Sequence, residues 1–208
     1  CITPNAVFPG EVDVDIGRQY LLRQKYGINV NDTVFGFVGS IFPHHGVDLL
    51  LQAFDQVYAQ MPEAHLLIVG DGEIRSELER SAHNFHCVDR ITFTGNVPHE
   101  SVYDHIGLMD ITLMVRSNWY GSPVKIFEYG VLGKPIIAPN NSPVRDVMVQ
   151  EQHGLLVNPD VEDIAAAMER LAKDAELRSR IGQTFREKIF REHTWEQMAE
   201  KVLRAINT

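Results

Sequence analysis

The chain has 208 residues, of which 28 are acidic and 19 are basic, so its formal net charge is -9. This charge disfavours nucleic acid as a partner, because a polyanionic backbone would be repelled. With 44% apolar residues, 23% charged residues and no apolar run of about 18 residues, the composition predicts a soluble cytoplasmic protein. The two cysteines, Cys1 and Cys87, allow at most one disulfide, which fits a reducing compartment.

Residues 1–14 are rich in turn formers, including Pro4, Pro9 and Gly10, and they show no amphipathic period. This stretch is predicted to be the remnant of a linker between domains, which makes the chain a fragment of a longer protein. Residues 15–208 are predicted to form one domain.

From Thr33 onward, short apolar runs alternate with longer stretches of helical period, the pattern of a parallel sheet covered by helices. The predicted strands are Thr33 to Val38, His65 to Val69, Ile91 to Phe93, Ile111 to Val115, Pro135 to Ala138 and Leu155 to Val157. The predicted helices are Gly46 to Gln60, Glu73 to Phe85, Ser101 to Met109, Val161 to Lys173, Ala175 to Phe190 and Trp195 to Ile206. The fold class is therefore α/β, a Rossmann-like parallel sheet of about six strands with helices on both faces and a helical C-terminus.

Loops that leave the C-terminal ends of parallel strands form the ligand crevice of such a sheet. The first of these loops runs from Gly39 to Gly46 and leads into a helix whose free amides can receive a phosphate. Gly70 follows the second strand, and Asn96 and Val97 follow the third. Ligand-binding residues are expected in these loops.

The fourth loop, residues 116–123, precedes a predicted helix in which Lys125 and Glu128 lie three residues apart on one face. One interpretation is a lysine for a phosphate and a glutamate for sugar hydroxyls, with Lys125 charged throughout the physiological pH range. The alternative is a surface ion pair, which contributes under about 1 kcal/mol.

In these loops the chain resembles the C-terminal, donor-binding domain of the retaining glycosyltransferase family four, also called group one. The resemblance covers nearly the whole chain and depends on the order and spacing of several short motifs. These motifs are Thr3 to Val7, Gly39 to Phe54, Leu67 to Gly72, Ile91 to Val97 and Ser122 to Pro135. The resemblance implies one half of a two-domain B-type glycosyltransferase fold.

Three positions depart from the family pattern. The family has two glutamates separated by seven residues, and here the second is Glu128 while the first position holds Tyr120. Ser40 and His45 stand where family members often carry an arginine and a lysine for the phosphates. A subset of the family is similar at these loops, so the sequence is interpreted as a variant in which Lys125 is the main phosphate cation.

The resemblance implies transfer of a sugar from a nucleotide diphosphate sugar with retention of configuration, without a metal, a cofactor or a stable covalent intermediate. Lys125 and Glu128 are the implied catalytic residues: the lysine stabilises the leaving diphosphate and the glutamate holds the donor ribose. The implied substrate-binding residues are Gly39, Ser40, His45, Gly46, Gly70, Asn96, Val97, Tyr120, Gly121, Ser122, Pro123, Val124, Lys125 and Glu128. If His45 contacts the diphosphate, binding affinity is expected to rise as the pH falls from about 8 toward 6, since the reference pKa of histidine is about 6.5 and the phosphate draws a proton onto the ring.

Further partners also follow from the resemblance. An N-terminal Rossmann-like domain would carry the acceptor site, and peripheral membrane association would occur through that domain. The fragment alone would then be inactive.

Two alternatives stay open: a sugar-nucleotide epimerase of the same architecture, and a module that binds a nucleotide or sugar without chemistry. Metal binding by His44 and His45 is disfavoured, because adjacent helical residues point about 100° apart.

Overall fold

A computed structural model describes residues 5–118 and 124–206 of the chain. The six strands are β1 (Thr33–Val38), β2 (Ala64–Val69), β3 (Ile91–Phe93), β4 (Ile111–Leu113), β5 (Ile136–Pro139) and β6 (Leu155–Val157). They form one parallel sheet in the order β3-β2-β1-β4-β5-β6. The predicted α/β fold with about six strands is confirmed.

The helices are α1 (Ile16–Lys25), α2 (Val47–Tyr58), α3 (Arg75–Ala82), α4 (Val102–Leu108), α5 (Val124–Val131), α6 (Ser142–Arg145), α7 (Val161–Lys173), α8 (Ala175–Glu192) and α9 (Trp195–Ile206). The sequence pattern predicts neither α1 nor α6. Helix α1 buries none of its residues, so no apolar stripe reveals it, and its start is fixed instead by Asp15, whose side chain accepts from Arg18 N. Helix α6 is a single turn, too short to show a period.

Each face of the sheet carries its own hydrophobic core, because successive strand residues point to opposite faces. On β1, Phe35 and Phe37 point into the core shared with α2 and α7. Val34 and Val38 point into the opposite core, which contains Phe127 of α5 and side chains of α8. All six residues of β2 are buried, as expected for a strand covered on both faces.

The two central strands, β1 and β4, pair through only two residue pairs, Phe35 with Ile111 and Gly36 with Thr112. Beyond these pairs, the buried hydroxyl group of Tyr129 lies between the strands. It accepts a hydrogen bond from Val38 N at 2.8 Å and donates to Leu113 O at 3.5 Å. Side-chain hydrogen bonds therefore replace main-chain pairing where the two strands end.

The chain leaves β1 toward β2 on one side and reaches β4 on the other, so the connections diverge at this pair of strands. In an open parallel sheet, such a divergence leaves a crevice beyond the carboxyl ends of the two strands. The loops that follow β1, β2 and β3 begin at this edge, and so does the described start of the loop after β4, residues 114–118.

Within residues 5–14, the described part of the predicted linker, Val7 and Phe8 pack against the other end of the chain. Val7 N donates to His193 O at 3.0 Å, and Trp195 N donates to Val7 O at 3.2 Å. The rings of Phe8 and Trp195 lie 5.8 Å apart, and Met198 is the residue that α9 buries. None of the helices in the described ranges is long and apolar enough to cross a membrane.

Candidate functional site

The loop after β1 begins and ends with a glycine in a left-handed conformation. Gly39 has φ +140°, and Gly46 has φ +71° and caps the N-terminus of α2. Only glycine adopts such angles without strain, so this backbone path depends on both residues. The first amides of α2 lie next to this loop, and helix N-termini attract anions.

A cavity of about 220 Å³ opens at the carboxyl ends of β1, β2 and β3. Five of the predicted site residues line it: Gly39, Ser40, Gly70, Asn96 and Val97. The remaining lining residues are Val38, Val69, Asp71 and Val102. The three loops are held together by main-chain hydrogen bonds, including Gly70 N to Gly95 O and Ile41 N to Asp71 O. The cavity therefore has a glycine-rich wall formed by backbone.

Lys125 of α5 reaches this wall from the other side of the crevice. Its Nζ is buried 4.0 Å from the ring centre of Phe37 and makes no hydrogen bond to the described residues. A Cβ placed on Gly39 would lie 2.8 Å from this Nζ, so the lysine is in contact with the start of the loop. Burial lowers the pKa of Lys125 to about 7, and the carboxylate of Glu128 opposes this shift.

Two sequence-based expectations about Lys125 are wrong for the site without a ligand. The amine is not charged throughout the physiological range, because a pKa of about 7 leaves a large part of it neutral near pH 7. It is also not part of a surface ion pair. Among the described residues no ion pair of 4.0 Å or less joins Lys125 to Glu128, and the Nζ is buried.

Glu128 lies one turn after Lys125 on α5 and is half-buried. Burial raises the pKa of this carboxyl group, and the positive charges of Lys125 and His99 oppose the rise. His99 begins the short helical turn that follows Asn96, Val97 and Pro98. The electrostatic coupling therefore links α5 to the loop after β3.

His45 is turned toward its own loop. Its Nδ1 lies 2.5 Å from the carbonyl oxygen of Ser40, and its ring is 6.1 Å from the ring of Phe37. Burial and the charge of Lys125 lower the pKa of His45 to about 4, although the Ser40 carbonyl favours the charged form. His45 is therefore neutral between pH 8 and 6 in the site without a ligand, so a rise in affinity over this range requires that the bound diphosphate draw a proton onto the ring.

The other predicted site residues divide into two groups. Gly46 and Val124 are described: Gly46 is buried at the start of α2, and Val124 is the exposed first residue of α5. Tyr120, Gly121, Ser122 and Pro123 lie outside the described residues. The structure thus brings most of the predicted loops to one crevice, with Lys125 and Glu128 on the helix beside it.

Sequence reasoning missed four residues of this crevice: Phe37, Asp71, His99 and Arg116. Arg116 and His99 each follow a strand closely, which is the signal that selected the predicted loops. Asp71 and Arg75 form an ion pair at 3.1 Å beside the cavity, and Arg75 also pairs with Glu79 at 2.8 Å. Phe37 carries no polar group, so nothing in the sequence marks it as the neighbour of Lys125.

Within the described ranges, no group of three or more His, Cys, Asp or Glu side chains is arranged to hold a metal ion. The features that the crevice does offer are a helix N-terminus, a glycine-lined backbone and a buried amine without a hydrogen-bond partner. All three favour a negatively charged ligand.

Curated proteins similar in sequence include several glycosyltransferases. One is an alpha-D-kanosaminyltransferase of Streptomyces kanamyceticus, 28% identical over 80% of this chain and 43% of the relative. Another is a GDP-mannose-dependent alpha-(1-6)-phosphatidylinositol monomannoside mannosyltransferase of Mycobacterium tuberculosis, 28% identical over 87% of this chain and 49% of the relative. The chain spans about half the length of these curated relatives.

Solved structures show the same fold. Anabaena Alr3699/HepE, crystallised in complex with UDP, superposes with a TM-score of 0.87 at 16% identity, over 97% of this chain and 56% of that one. The C-terminal domain of a glycosyl transferase group 1 family protein (LpcC) from Francisella tularensis superposes with a TM-score of 0.80 at 19% identity, over 91% and 99% of the two chains. The fold is therefore that of one domain of the B-type glycosyltransferases, as the sequence predicts.

The family profile described as "Glycosyl transferases group 1" matches residues 19–188. This range contains the glycine-rich loops, Lys125 and Glu128, and it ends within α8. With its Rossmann-like sheet and the crevice at the central strands, the chain belongs to the group 1 glycosyltransferase family.

Proposed function

We propose that this chain binds the nucleoside diphosphate part of a nucleotide-sugar donor, and that it is the donor-binding portion of a retaining glycosyltransferase. The observation that carries the proposal is the buried Nζ of Lys125, which has no hydrogen-bond partner among the described residues and lies against Gly39. A buried amine without a partner costs free energy unless a ligand supplies the missing charge. A diphosphate between Lys125 and the amides of α2 would supply it.

Each part of the crevice then has a role in this proposal. The base and ribose occupy the cavity lined by Gly70, Asn96 and Val97, and Glu128 accepts hydrogen bonds from the ribose hydroxyls. When the bond between the sugar's anomeric carbon and an oxygen of the distal phosphate breaks, its electron pair stays on that oxygen. Lys125 and the helix amides stabilise this negative charge. The anomeric carbon bonds to the acceptor's hydroxyl oxygen on the same face, and the hydroxyl proton passes to the leaving phosphate. Neither a metal ion nor a covalent enzyme intermediate is required.

We assign binding of the sugar acceptor to another domain. The curated relatives are about twice as long as this chain, so the acceptor site is assigned to an N-terminal Rossmann-like domain. The 208-residue chain alone would bind the donor without transferring the sugar, because half of the cleft that excludes water would be absent. Peripheral membrane association is likewise assigned to that domain.

The first test is a calorimetric titration of the 208-residue chain with UDP, GDP and ADP. One diphosphate is expected to bind more tightly than its nucleoside, since the phosphates make the contacts with Lys125. The relatives include a GDP-mannose-dependent enzyme and a structure with UDP, so both bases belong in the panel. No difference between the diphosphates and the nucleosides would contradict the proposal.

Glu128→Ala is expected to weaken binding of the preferred nucleoside diphosphate by about 1.5 to 3 kcal/mol, as for a hydrogen bond to a charged group. The contact with the ribose can be tested directly with the 2′,3′-dideoxy form of the nucleotide. Wild type should lose affinity for this analogue, whereas Glu128→Ala should bind both forms equally. The control is Glu100→Ala, which removes an exposed carboxylate beside His99. If the variant still discriminates between the two forms, Glu128 does not contact the ribose.

His45→Ala is expected to leave the pH dependence of binding unchanged between about pH 6.5 and 8. The pKa of His45 in the free site is about 4, so this histidine is neutral over that range. A bound diphosphate raises the pKa of His45 above 4, so the histidine takes up a proton on binding between about pH 4 and 6. Above pH 6.5 this uptake should be negligible. Calorimetry in two buffers of different ionisation enthalpy measures the protons taken up. A smaller uptake by His45→Ala at pH 7.5 would show that the histidine titrates with the ligand.

A further inference from the structure

Two basic side chains from different elements cover the two ends of the loop after β1. Lys125 of α5 lies against Gly39, as described above. At the other end, Arg116 lies against Gly46: a Cβ on Gly46 would be 2.8 Å from the Cβ of Arg116 and 3.6 Å from its Nε. Gly46 is the cap of α2, so Arg116 lies beside the helix N-terminus that faces the crevice.

The charge of Arg116 is not neutralised within the described part of the chain. Its Nη1 donates to the carbonyl oxygen of Pro43 at 3.1 Å, and none of the ion pairs found there includes it. A guanidinium group has five N–H donors, so one hydrogen bond leaves most of them available. Arg75, the basic residue near the cavity, differs because it pairs with both Asp71 and Glu79.

To bind an anionic ligand, the crevice needs a basic side chain whose charge is not neutralised within the protein. The chain carries a net charge of -9, which repels an anionic ligand at long range. The family positions for an arginine and a lysine hold Ser40 and His45, and neither is charged near pH 7. Lys125 is only partly charged there before the ligand binds. A guanidinium, in contrast, stays charged at every physiological pH.

We propose that Arg116 binds the distal phosphate of the nucleoside diphosphate, on the Gly46 side of the loop, while Lys125 binds it from the Gly39 side. This inference rests on the proposed function, because it takes the ligand to be a nucleoside diphosphate. A planar guanidinium beside helix amides suits the tetrahedral oxygens of a phosphate and contacts two of them at once. Arg116 therefore acts together with Lys125 to make the site select a diphosphate over a monophosphate.

The experiment measures the affinity of wild type, Arg116→Gln and Arg116→Lys for the diphosphate that wild type prefers among UDP, GDP and ADP, for its monophosphate and for its nucleoside. All titrations are made at pH 7.5 and one salt concentration. Arg116→Gln should weaken diphosphate binding by about tenfold or more and monophosphate binding by less than about threefold. Arg116→Lys should recover part of the diphosphate affinity, since it restores the charge but not the paired donors.

Arg145→Gln is the matched control. Arg145 lies at the same edge of the sheet after β5, donates to Asn140 O at 3.3 Å and is exposed. The variant removes one positive charge at the same edge and should change diphosphate affinity by less than about twofold. A similar loss in Arg145→Gln would mean that net charge alone explains the effect.

Two further results would overturn the inference without affecting the proposed function. One is unchanged diphosphate binding by Arg116→Gln. The other is an equal loss for diphosphate, monophosphate and nucleoside, which would show that Arg116 only supports the loop through Pro43. If wild type binds none of the three diphosphates, the proposed function and this inference both fail, so the two failures are distinguishable. Thermal melting without ligand checks that each variant is folded.

Discussion

Lys125→Met is expected to stabilise the chain and, at the same time, to remove most of its affinity for a nucleoside diphosphate. The stability gain follows from burial of the amine without a hydrogen-bond partner, which lowers its pKa from 10.5 to about 7. Each pKa unit corresponds to about 1.4 kcal/mol, so holding the charged amine in this place costs the fold a few kcal/mol near pH 7. Methionine fills similar space without the charge.

The pH dependence of the free energy of unfolding tests whether the buried charge of Lys125 causes this gain in stability. The folded pKa of Lys125, about 7, is lower than the unfolded value, so the unfolded chain binds more protons between about pH 7 and 10.5. Wild-type stability should therefore rise through this range from the contribution of this residue. The advantage of Lys125→Met should be largest at pH 7 or below and should shrink by pH 9. Urea unfolding of both proteins at pH 6, 7.5 and 9 measures it.

The affinity for the diphosphate should also depend on pH, and in a different way. A bound diphosphate keeps Lys125 protonated, so wild-type affinity should fall as the pH rises above about 7, by at most about tenfold per pH unit. Lys125→Met should lack this slope and should bind about 2 to 3 kcal/mol more weakly at pH 7. A methionine variant that keeps the wild-type affinity and slope would show that the amine does not contact the phosphates.

Lys134→Met is the matched control for both measurements. Lys134 is also largely buried, but its Nζ donates to Gly107 O at 2.8 Å and to Met109 O at 2.7 Å. The same substitution there leaves two carbonyl groups unsatisfied and should destabilise the chain by about 1 to 3 kcal/mol. Nucleotide affinity should not change. Opposite effects on stability at the two lysines would show that the amine of Lys125 lacks a hydrogen-bond partner until a ligand binds, whereas the amine of Lys134 has its partners within the fold.

Gly70→Ala is expected to destabilise the chain by about 3 kcal/mol or more, from backbone strain and overlap together. Gly70 has φ +131°, and a Cβ there would overlap the carbonyl oxygen of Gly39. The Cβ position is fixed by the main chain of residue 70, and the oxygen belongs to the main chain of the adjacent loop, so no side-chain rotation can relieve the overlap. At about 2 to 4 °C per kcal/mol for a chain of this size, the midpoint of thermal unfolding should fall by at least about 6 °C.

Gly27→Ala separates the two contributions. Gly27 also has a positive φ, +64°, but a Cβ there would meet nothing within 4 Å. Its replacement should cost about 1 to 2 kcal/mol, from the left-handed conformation alone. Equal destabilisation of the two variants would show that the loops after β1 and β2 adjust to the added methyl group. Gly70→Ala should also weaken diphosphate binding, because the displaced loop carries Gly39.

The parts of the fold that follow from local sequence pattern were predictable. Strands such as Ala64–Val69 are buried on both faces and appear as continuous apolar runs, and α7 begins after Asp160, whose side chain caps it. The position of the crevice follows from the parallel order of the strands. In contrast, α1 could not be predicted, because it buries none of its residues.

The charge states of the site residues were not predictable for a different reason. The low pKa of Lys125 depends on burial of its Nζ, and the groups that surround this atom include Phe37, a residue of β1 that is distant in the sequence and becomes its neighbour only after folding. The low pKa of His45 depends on burial and on Lys125 in the same way. Sequence spacing identifies which residues reach the crevice, but desolvation depends on atoms contributed by other elements.

The hydroxyl group of Tyr129 has a consequence for the width of the crevice. It takes the place of main-chain pairing between Val38 and Leu113, so it acts as a spacer that holds the ends of the two central strands apart. The same residue belongs to α5 and directly follows Glu128, so the spacer also sets how far that helix lies from the glycine loop. One phenol group inside the protein thus sets the separation of the two strand ends at the base of the crevice.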